Sequence, residues 1–371
     1  MQLSKLSFIA SLAIVSMNVS AQDYVNVQIL HYSENDSRVS VIAPSIEVNK
    51  DFGTDYTLNV DIVTDSVSGA SPTYYDATSG ASSYSRGTST NIKKGNVAFE
   101  EQRNAGNANL TTRFKNRDEL QIGFSSSSEH DFDSLEFSTS YLHYLDDSHN
   151  QSILFGGSYQ NNEITIQCNQ HTACDVSSGA SAKMTSSVIN AQVGFIQVID
   201  TSSIANIGVF YSNESGFLSS PYHNIIRNTN VVTNELKPDA KAGYGIKLGY
   251  QKAFDDRFSS QLSYRFYNDD WDITSHTVDS LLYYEVGSDI ILSGGIRYYT
   301  QTKANFYGES FSNEKFASSD ERVNAFNAIT YKMGIDYKIN DKLNYNFGAN
   351  LYEQSTGLKA LYFTTGLKYK F

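Results

Sequence analysis

The 371-residue chain carries 28 Lys and Arg against 40 Asp and Glu, and its formal net charge of −12 argues against a nucleic-acid partner, which would need a basic stripe. It contains no apolar run near the roughly 18 residues of a spanning helix, so any membrane crossing must use strands. With 26 Tyr, 21 Phe and 24 Gly against 4 Pro, the composition suits pleated sheets and tight turns, because aromatics favour strands and Pro removes a ladder donor. The acidity reads as a solvated surface in preference to divalent-cation bridging of anionic headgroups.

In chain order, Lys5, an apolar run from Leu6 to Met17, and Val19-Ser20-Ala21 make up a secretory signal peptide. Cleavage is expected after Ala21, leaving residues 22–371 as one barrel domain; the apolar run is too short for an uncleaved anchor. Strict alternation then marks half-exposed strands. Leu58, Val60 and Ile62 alternate with Asn59 and Asp61, and Ile189, Ala191, Val193 and Phe195 with Asn190, Gln192 and Gly194. Ala242, Tyr244, Ile246, Leu248 and Tyr250 alternate with Lys241, Gly243, Gly245, Lys247 and Gly249. Leu343, Tyr345, Phe347, Ala349 and Leu351 repeat the pattern, as do Leu361, Phe363, Thr365, Leu367, Tyr369 and Phe371. One apolar and one polar face per strand is the profile of a transmembrane barrel. Pro44 predicts that the second strand is either bulged or placed elsewhere. Phe99–Asn109 is too polar to face lipid and reads as the extramembrane part of the strand that continues through Leu110, Thr112 and Phe114.

Brief polar turns near 49–55, 115–118, 146–150, 200–202, 253–256, 285–288 and 339–341 alternate with longer connections. The long ones are 66–95, 161–185, 213–239 and 302–321, with shorter partners at 34–37, 131–133, 268–270 and 354–358. The expected fold is therefore all-β: an antiparallel up-and-down outer-membrane barrel of about 16 strands (about 14 or 18 as alternatives) with both termini periplasmic. The chain ends Thr364-x-Gly366-x-x-Tyr369-x-Phe371, the polar-x-Gly-x-x-aromatic-x-aromatic form recognised by the barrel-assembly machinery. The same residues are expected to form the closing strand, paired with the one that begins near Tyr24.

Cys168 and Cys174 lie in a polar loop, where an oxidising compartment favours a short disulfide. His171 between them adds one imidazole to two thiols, which is one ligand short of a zinc site, so no metal and no cofactor is assigned. Alternation places Arg265, Asp279 and Arg297 in the lumen on three neighbouring strands, with Asp61 and Asp65 able to oppose them. The cluster reads first as an ion-pair ladder bracing the wall, and alternatively as a selectivity ring or ligand cradle. Ser68 to Pro72 with Tyr74 and Tyr75 reads as an ordinary outer loop in preference to a constriction. Tyr283-Tyr284 and Tyr298-Tyr299 read as membrane-interface girdle residues in preference to a sugar slide. Ser275 and His276 are adjacent on a strand and so point to opposite faces. No nucleophile elbow, phosphate loop or HExxH occurs, so no enzyme activity is expected.

Several stretches carry a family resemblance: Asp65-Ser-Val-Ser-Gly-Ala-Ser-Pro72, Gly216-Phe-Leu-Ser-Ser-Pro-Tyr222, Tyr264-Arg-Phe-Tyr-Asn-Asp-Asp-Trp271, Ser275-His-Thr277 and Arg297-Tyr-Tyr-Thr-Gln-Thr-Lys-Ala-Asn-Phe-Tyr307. They resemble a family of bacterial outer-membrane proteins catalogued as a domain of unknown function. That resemblance implies a barrel without an assigned activity, and a loose association with exported flavin-transfer and redox proteins. The expected function is a channel or transport barrel of unknown solute, since 16 strands can leave a water-filled bore. The alternative is a loop-plugged structural or binding barrel that docks a periplasmic or surface partner linked to an exported redox system. Outer-membrane lipid and the assembly machinery are the other expected partners.

Overall fold

The computed structural model describes residues 23–76, 87–88, 92–167, 181–221, 223–228 and 231–371. The signal peptide expected at 1–21, and Cys168, His171 and Cys174, lie outside the described residues. Sixteen strands close into one antiparallel barrel. They are β1 (Tyr24–Glu34), β2 (Val39–Phe52), β3 (Tyr56–Asp76), β4 (Ile92–Arg113), β5 (Glu119–Ser128), β6 (Phe132–Tyr144), β7 (Gln151–Gln167) and β8 (Ser181–Asp200). The second half comprises β9 (Ser203–Gly216), β10 (Ala240–Ala253), β11 (Phe258–Asp269), β12 (Thr274–Val286), β13 (Ile290–Gln301), β14 (Phe326–Lys338), β15 (Leu343–Gln354) and β16 (Lys359–Lys370).

Closure is complete because β1 pairs with β16 from Tyr24↔Lys370 to Glu34↔Ala360. A closed ladder satisfies every backbone donor without water, which a bilayer demands of any strand. The first and last described residues, Asp23 and Phe371, lie at one end with the short turns at 53–55, 114–118, 145–150, 201–202, 254–257, 287–289 and 339–342. Connections 217–239 and 302–325 leave the strands at the other end.

Alternation sorts the side chains as the sequence reading expects. On β10, Tyr244, Ile246, Leu248 and Tyr250 point outward and are 39–56% exposed, while Lys241 and Lys247 point inward. Such exposure continues around the wall through Val27, Ile62, Phe137, Val193, Val209, Leu262, Ile296 and Met333. A soluble monomer rarely exposes an apolar patch of more than about 600 Å², so a belt of this extent is a lipid-facing surface.

Two local expectations change. Pro44 does not bulge β2, because the β2–β3 register is the same on both sides of it, at Ile42↔Ser66 and at Ser45↔Val63. The missing N–H therefore interrupts the ladder locally without shifting it. The connection expected over 66–95 is largely strand: β3 and β4 stay paired out to Asp76↔Ile92, beyond the last β2 partner at Val39↔Gly69. Phe99–Asn109 accordingly lies within β4, and its part before Asn104 rises past the end of β5.

Candidate lumen site and its cap

The inner wall from β9 to β13 is organised by glycines. Phe210 on β9 and Tyr267 on β11 both lie opposite Gly245 on β10. Their rings stack across it, with centroids 6.4 Å apart and planes 9° apart. A Cβ at 245 would overlap the Phe210 ring and the Phe266 carbonyl oxygen, so only glycine lets the rings lie along the wall. Gly243 makes the same allowance for Tyr267, and Gly249 for Asn206.

Cations are laid over these rings. The Arg265 guanidinium sits 4.9 Å from the Phe210 centroid and 5.6 Å from that of Tyr267. Lys247, the cross-strand partner of Arg265, holds its Nζ 5.4 Å from the Phe210 centroid. Two strands along, Arg297 follows two residues nearer the turn end, since Arg265↔Thr277↔Tyr299 sets the common level. Among the described residues no carboxylate lies within 4 Å of Lys247, Arg265 or Arg297. Higher on the same wall Lys241 is neutralised by Glu214 at 3.5 Å and Asp269 at 3.4 Å, and lies 5.2 Å over Trp271.

Arg265, Asp279 and Arg297 therefore do face the lumen on three consecutive strands, as alternation places them, and Asp279 is the direct cross-strand neighbour of Arg297. The ion pair nevertheless forms elsewhere: Lys332 on β14 donates to Asp279 at 2.5 Å. Lys247 and Lys332 are the residues the sequence reading missed, although alternation in their own strands puts both on the polar face. Of the expected girdle residues, Tyr284 and Tyr298 lie on the outer face, 47% and 43% exposed, and their neighbours do not. Tyr283 and Tyr299 point inward, Tyr299 packing against Phe326 with its hydroxyl donating to Gln301. His276 lies on the outer face, bonded through Nδ1 to the Tyr264 hydroxyl at 2.8 Å, on the side opposite Ser275.

The opposing wall is acidic. From β2 to β10, and from β3 to β11, is eight strands of the sixteen, so Glu47 and Asp61 stand across the barrel from Lys247 and Arg265. Glu47 lies beside Asp61 in the ladder and accepts from the Tyr24 hydroxyl at 2.7 Å and Asn59 Nδ2 at 2.9 Å. Asp65, a turn of ladder higher, is taken by Arg103, whose Nε donates to it at 2.6 Å. Opposed signs on facing walls set up a field across the bore. Toward the turn end a cavity of about 460 Å³ is lined by Asn26, Gln28, Lys332, Asp336, Asn346 and Lys368, among others.

Three connections meet over the loop end. Residues 87–88, from between β3 and β4, pair with 231–232, from between β9 and β10. The hairpin of Asn224–Arg227 and Val231–Asn234 in turn meets the β13–β14 connection through Arg227↔Phe311 and Leu236↔Ala317. These connections start six and four strands apart around the ring, so their meeting spans the mouth. A second layer of contacts fixes them. Trp271, Ile273, Ala304, Phe306 and Val323 form a buried cluster, and Ile225, Phe311 and Ala317 another. Trp271 meets Phe306 edge-on at 5.0 Å and donates from Nε1 to the Ala240 carbonyl at 2.9 Å.

A buried ionic knot joins the two largest connections. Lys237 lies 3.1 Å from Glu235 and 3.0 Å from Asp320, with side-chain exposures of 7%, 0% and 4%. Glu235 accepts from Ser318 Oγ at 2.5 Å and from the Ser220 amide at 2.6 Å, while Arg322 pairs with Asp320 at 2.6 Å. Burial would raise the Asp320 carboxyl, but Arg322 and Lys237 outweigh it and hold it well below the usual carboxylate range. Burial depresses His223, with partial compensation from Asp320 and Glu235.

Two of the stretches that carried the family resemblance, 264–271 and 297–307, meet here. Arg265, Tyr267, Asp269 and Trp271 run up one inner wall into the cap, Arg297 and Tyr299 flank them, and Ala304 and Phe306 pack on Trp271. At the closing strand, Gly366 faces inward, where a Cβ would crowd Gln28 and Asn346, and Thr364 lies beside Gly348. Tyr369 and Phe371 are 47% and 54% exposed on the outer face.

A closed sixteen-strand barrel with an apolar outer belt and a polar, charged bore has the fold of bacterial outer-membrane proteins. The chain belongs to the family described as Protein of unknown function (DUF3570), whose model matches residues 5–366. Among solved structures it is similar to a bacterial polysaccharide outer membrane secretin, with 8% identity, a TM-score of 0.50, and coverage of 95% of this chain and 100% of that one. The CymD monoaromatic hydrocarbon channel matches at 9% identity and a TM-score of 0.44, over 94% of this chain and 88% of that one. The siderophore receptor PirA from Acinetobacter baumannii matches at 8% and 0.48, over 90% of this chain and 53% of the longer receptor. At these identities the likeness concerns the fold alone. No curated protein matches.

Proposed function

We propose that this chain is a gated transport barrel of the outer membrane, passing a small solute through a charged bore that its outer cap keeps closed at rest. The observation that carries the reading is the pairing of a mouth-spanning cap with uncompensated, opposed charges on the wall beneath it. A purely structural barrel has no use for unpaired cations facing its lumen, since each costs desolvation and mutual repulsion. The short turns lie on the periplasmic side in barrels of this kind, so the cavity beside Lys332 opens inward and the cap faces the exterior.

Planar-bilayer recording tests the reading. Ser219 and Lys237 lie side by side, the Lys237 amide donating to Ser219 Oγ at 2.9 Å, so a short Gly-Ser turn can replace 220–236. The intact barrel is expected to open rarely and briefly, and the shortened one to carry a steady ohmic current. Silence from a shortened barrel that retains its β circular-dichroism spectrum would favour a docking barrel instead.

A further inference from the structure

We propose that Lys247, Arg265 and Arg297 form a binding subsite for a small solute that carries an oxyanion, either a carboxylate or a phosphate. This deepens the transport reading and rests on it for its biological sense.

Three observations lead there. First, two of the cations meet where charge repulsion opposes them: Lys247 and Arg265 are cross-strand partners held over the one ring of Phe210, and Arg297 faces the same lumen two strands along. Like charges directly opposite on adjacent strands destabilise a sheet, so their persistence calls for an anion between or above them. Second, the carboxylates that could neutralise them are engaged elsewhere. Glu214 and Asp269 are taken by Lys241, and Asp279 by Lys332. Arg265 Nε is itself buried without a hydrogen-bond partner. Third, the site is built to hold still. Gly245 lets Phe210 and Tyr267 lie flat against the wall, and the two rings fix the guanidinium by cation–π contact. A planar fork on a fixed stem suits a two-oxygen face of a carboxylate or phosphate, and Lys247 adds a point charge. Glu47 and Asp61 on the far wall repel the same anion and so press it toward the cationic side.

Isothermal titration of the intact barrel in detergent tests the subsite, with inorganic phosphate and benzoate as oxyanion probes and benzyl alcohol as the uncharged control. Benzoate or phosphate is expected to bind, benzyl alcohol at least tenfold more weakly. The pair Lys247→Gln with Arg297→Gln is expected to weaken the oxyanion at least tenfold, and the charge-preserving Lys247→Arg to leave it within threefold. Binding of benzoate alone would assign the subsite to carboxylates, and of phosphate alone to phosphates. Should neither oxyanion bind, should benzyl alcohol bind as well as benzoate, or should the Gln pair bind like the parent, the subsite is overturned. The titration needs no current, so a silent bilayer refutes transport without touching this result, and a failed titration leaves the current to be judged separately.

Discussion

Replacing Lys237 with Met removes the one ammonium shared by Glu235 and Asp320, two carboxylates whose side chains are 0% and 4% exposed. Breaking a buried ion pair from one side costs about 3–5 kcal/mol, because a charge is left without its partner. Here the lower figure applies, since Asp320 keeps Arg322 and Glu235 keeps the Ser318 hydroxyl and the Ser220 amide. At about 1.4 kcal/mol per factor of ten, a loss of about 3 kcal/mol raises the open population of the cap roughly 10²-fold. The effect should stay local, because both carboxylates that Lys237 meets, Glu235 and Asp320, lie in the connections. Hydrogen exchange measures it: the Leu236 and Ala317 amides, which bond to each other's carbonyls at 3.0 and 2.8 Å, should exchange roughly 10²-fold faster. Amides in the β10–β11 ladder should not change, and Lys237→Met combined with Glu235→Gln should recover part of the loss. Unchanged exchange at Leu236 and Ala317, or acceleration spread over the whole barrel, would refute this account of how the cap is held.

Gly245→Ala places a Cβ against the Phe210 ring and the Phe266 carbonyl oxygen, and should cost about 1–3 kcal/mol as overpacking, read as a lower thermal midpoint with the barrel otherwise intact. His223 is held below its ordinary value of 6.5, so the folded cap binds fewer protons than the open one as pH falls past that value. Cap stability should therefore be unaffected by His223 above neutrality and decline toward pH 5, seen as faster proteolysis within 217–239, and His223→Gln should flatten the decline.

The barrel was legible in the sequence because lipid and water impose opposite demands on successive residues of one strand. Tyr244, Ile246, Leu248 and Tyr250 against Lys241 and Lys247 needed no partner strand to be understood, and the closing pair of β1 and β16 followed from the last apolar alternation. Above the apolar belt the alternation fades, so the paired reaches of β3 and β4 over 66–76 and 92–95 read as loop. The lumen cluster was half legible. Alternation assigns a face but not a partner: Arg297 lies directly across from Asp279, yet Lys332, on the strand beyond, takes its carboxylate. The cap was not legible at all, because pairs such as Leu236 with Ala317, and 87–88 with 231–232, join polar connections far apart in the chain and carry no local period.

Locking the joined connections together tests most directly whether they gate the bore. Leu236→Cys with Ala317→Cys, in a chain whose Cys168 and Cys174 are Ser, puts two thiols at a hydrogen-bonded antiparallel pair, a spacing a disulfide can bridge. Planar-bilayer recording should show openings under reductant, none after oxidation, and their return on re-reduction. A current indifferent to the redox state of that pair, or none in either state, would contradict the account.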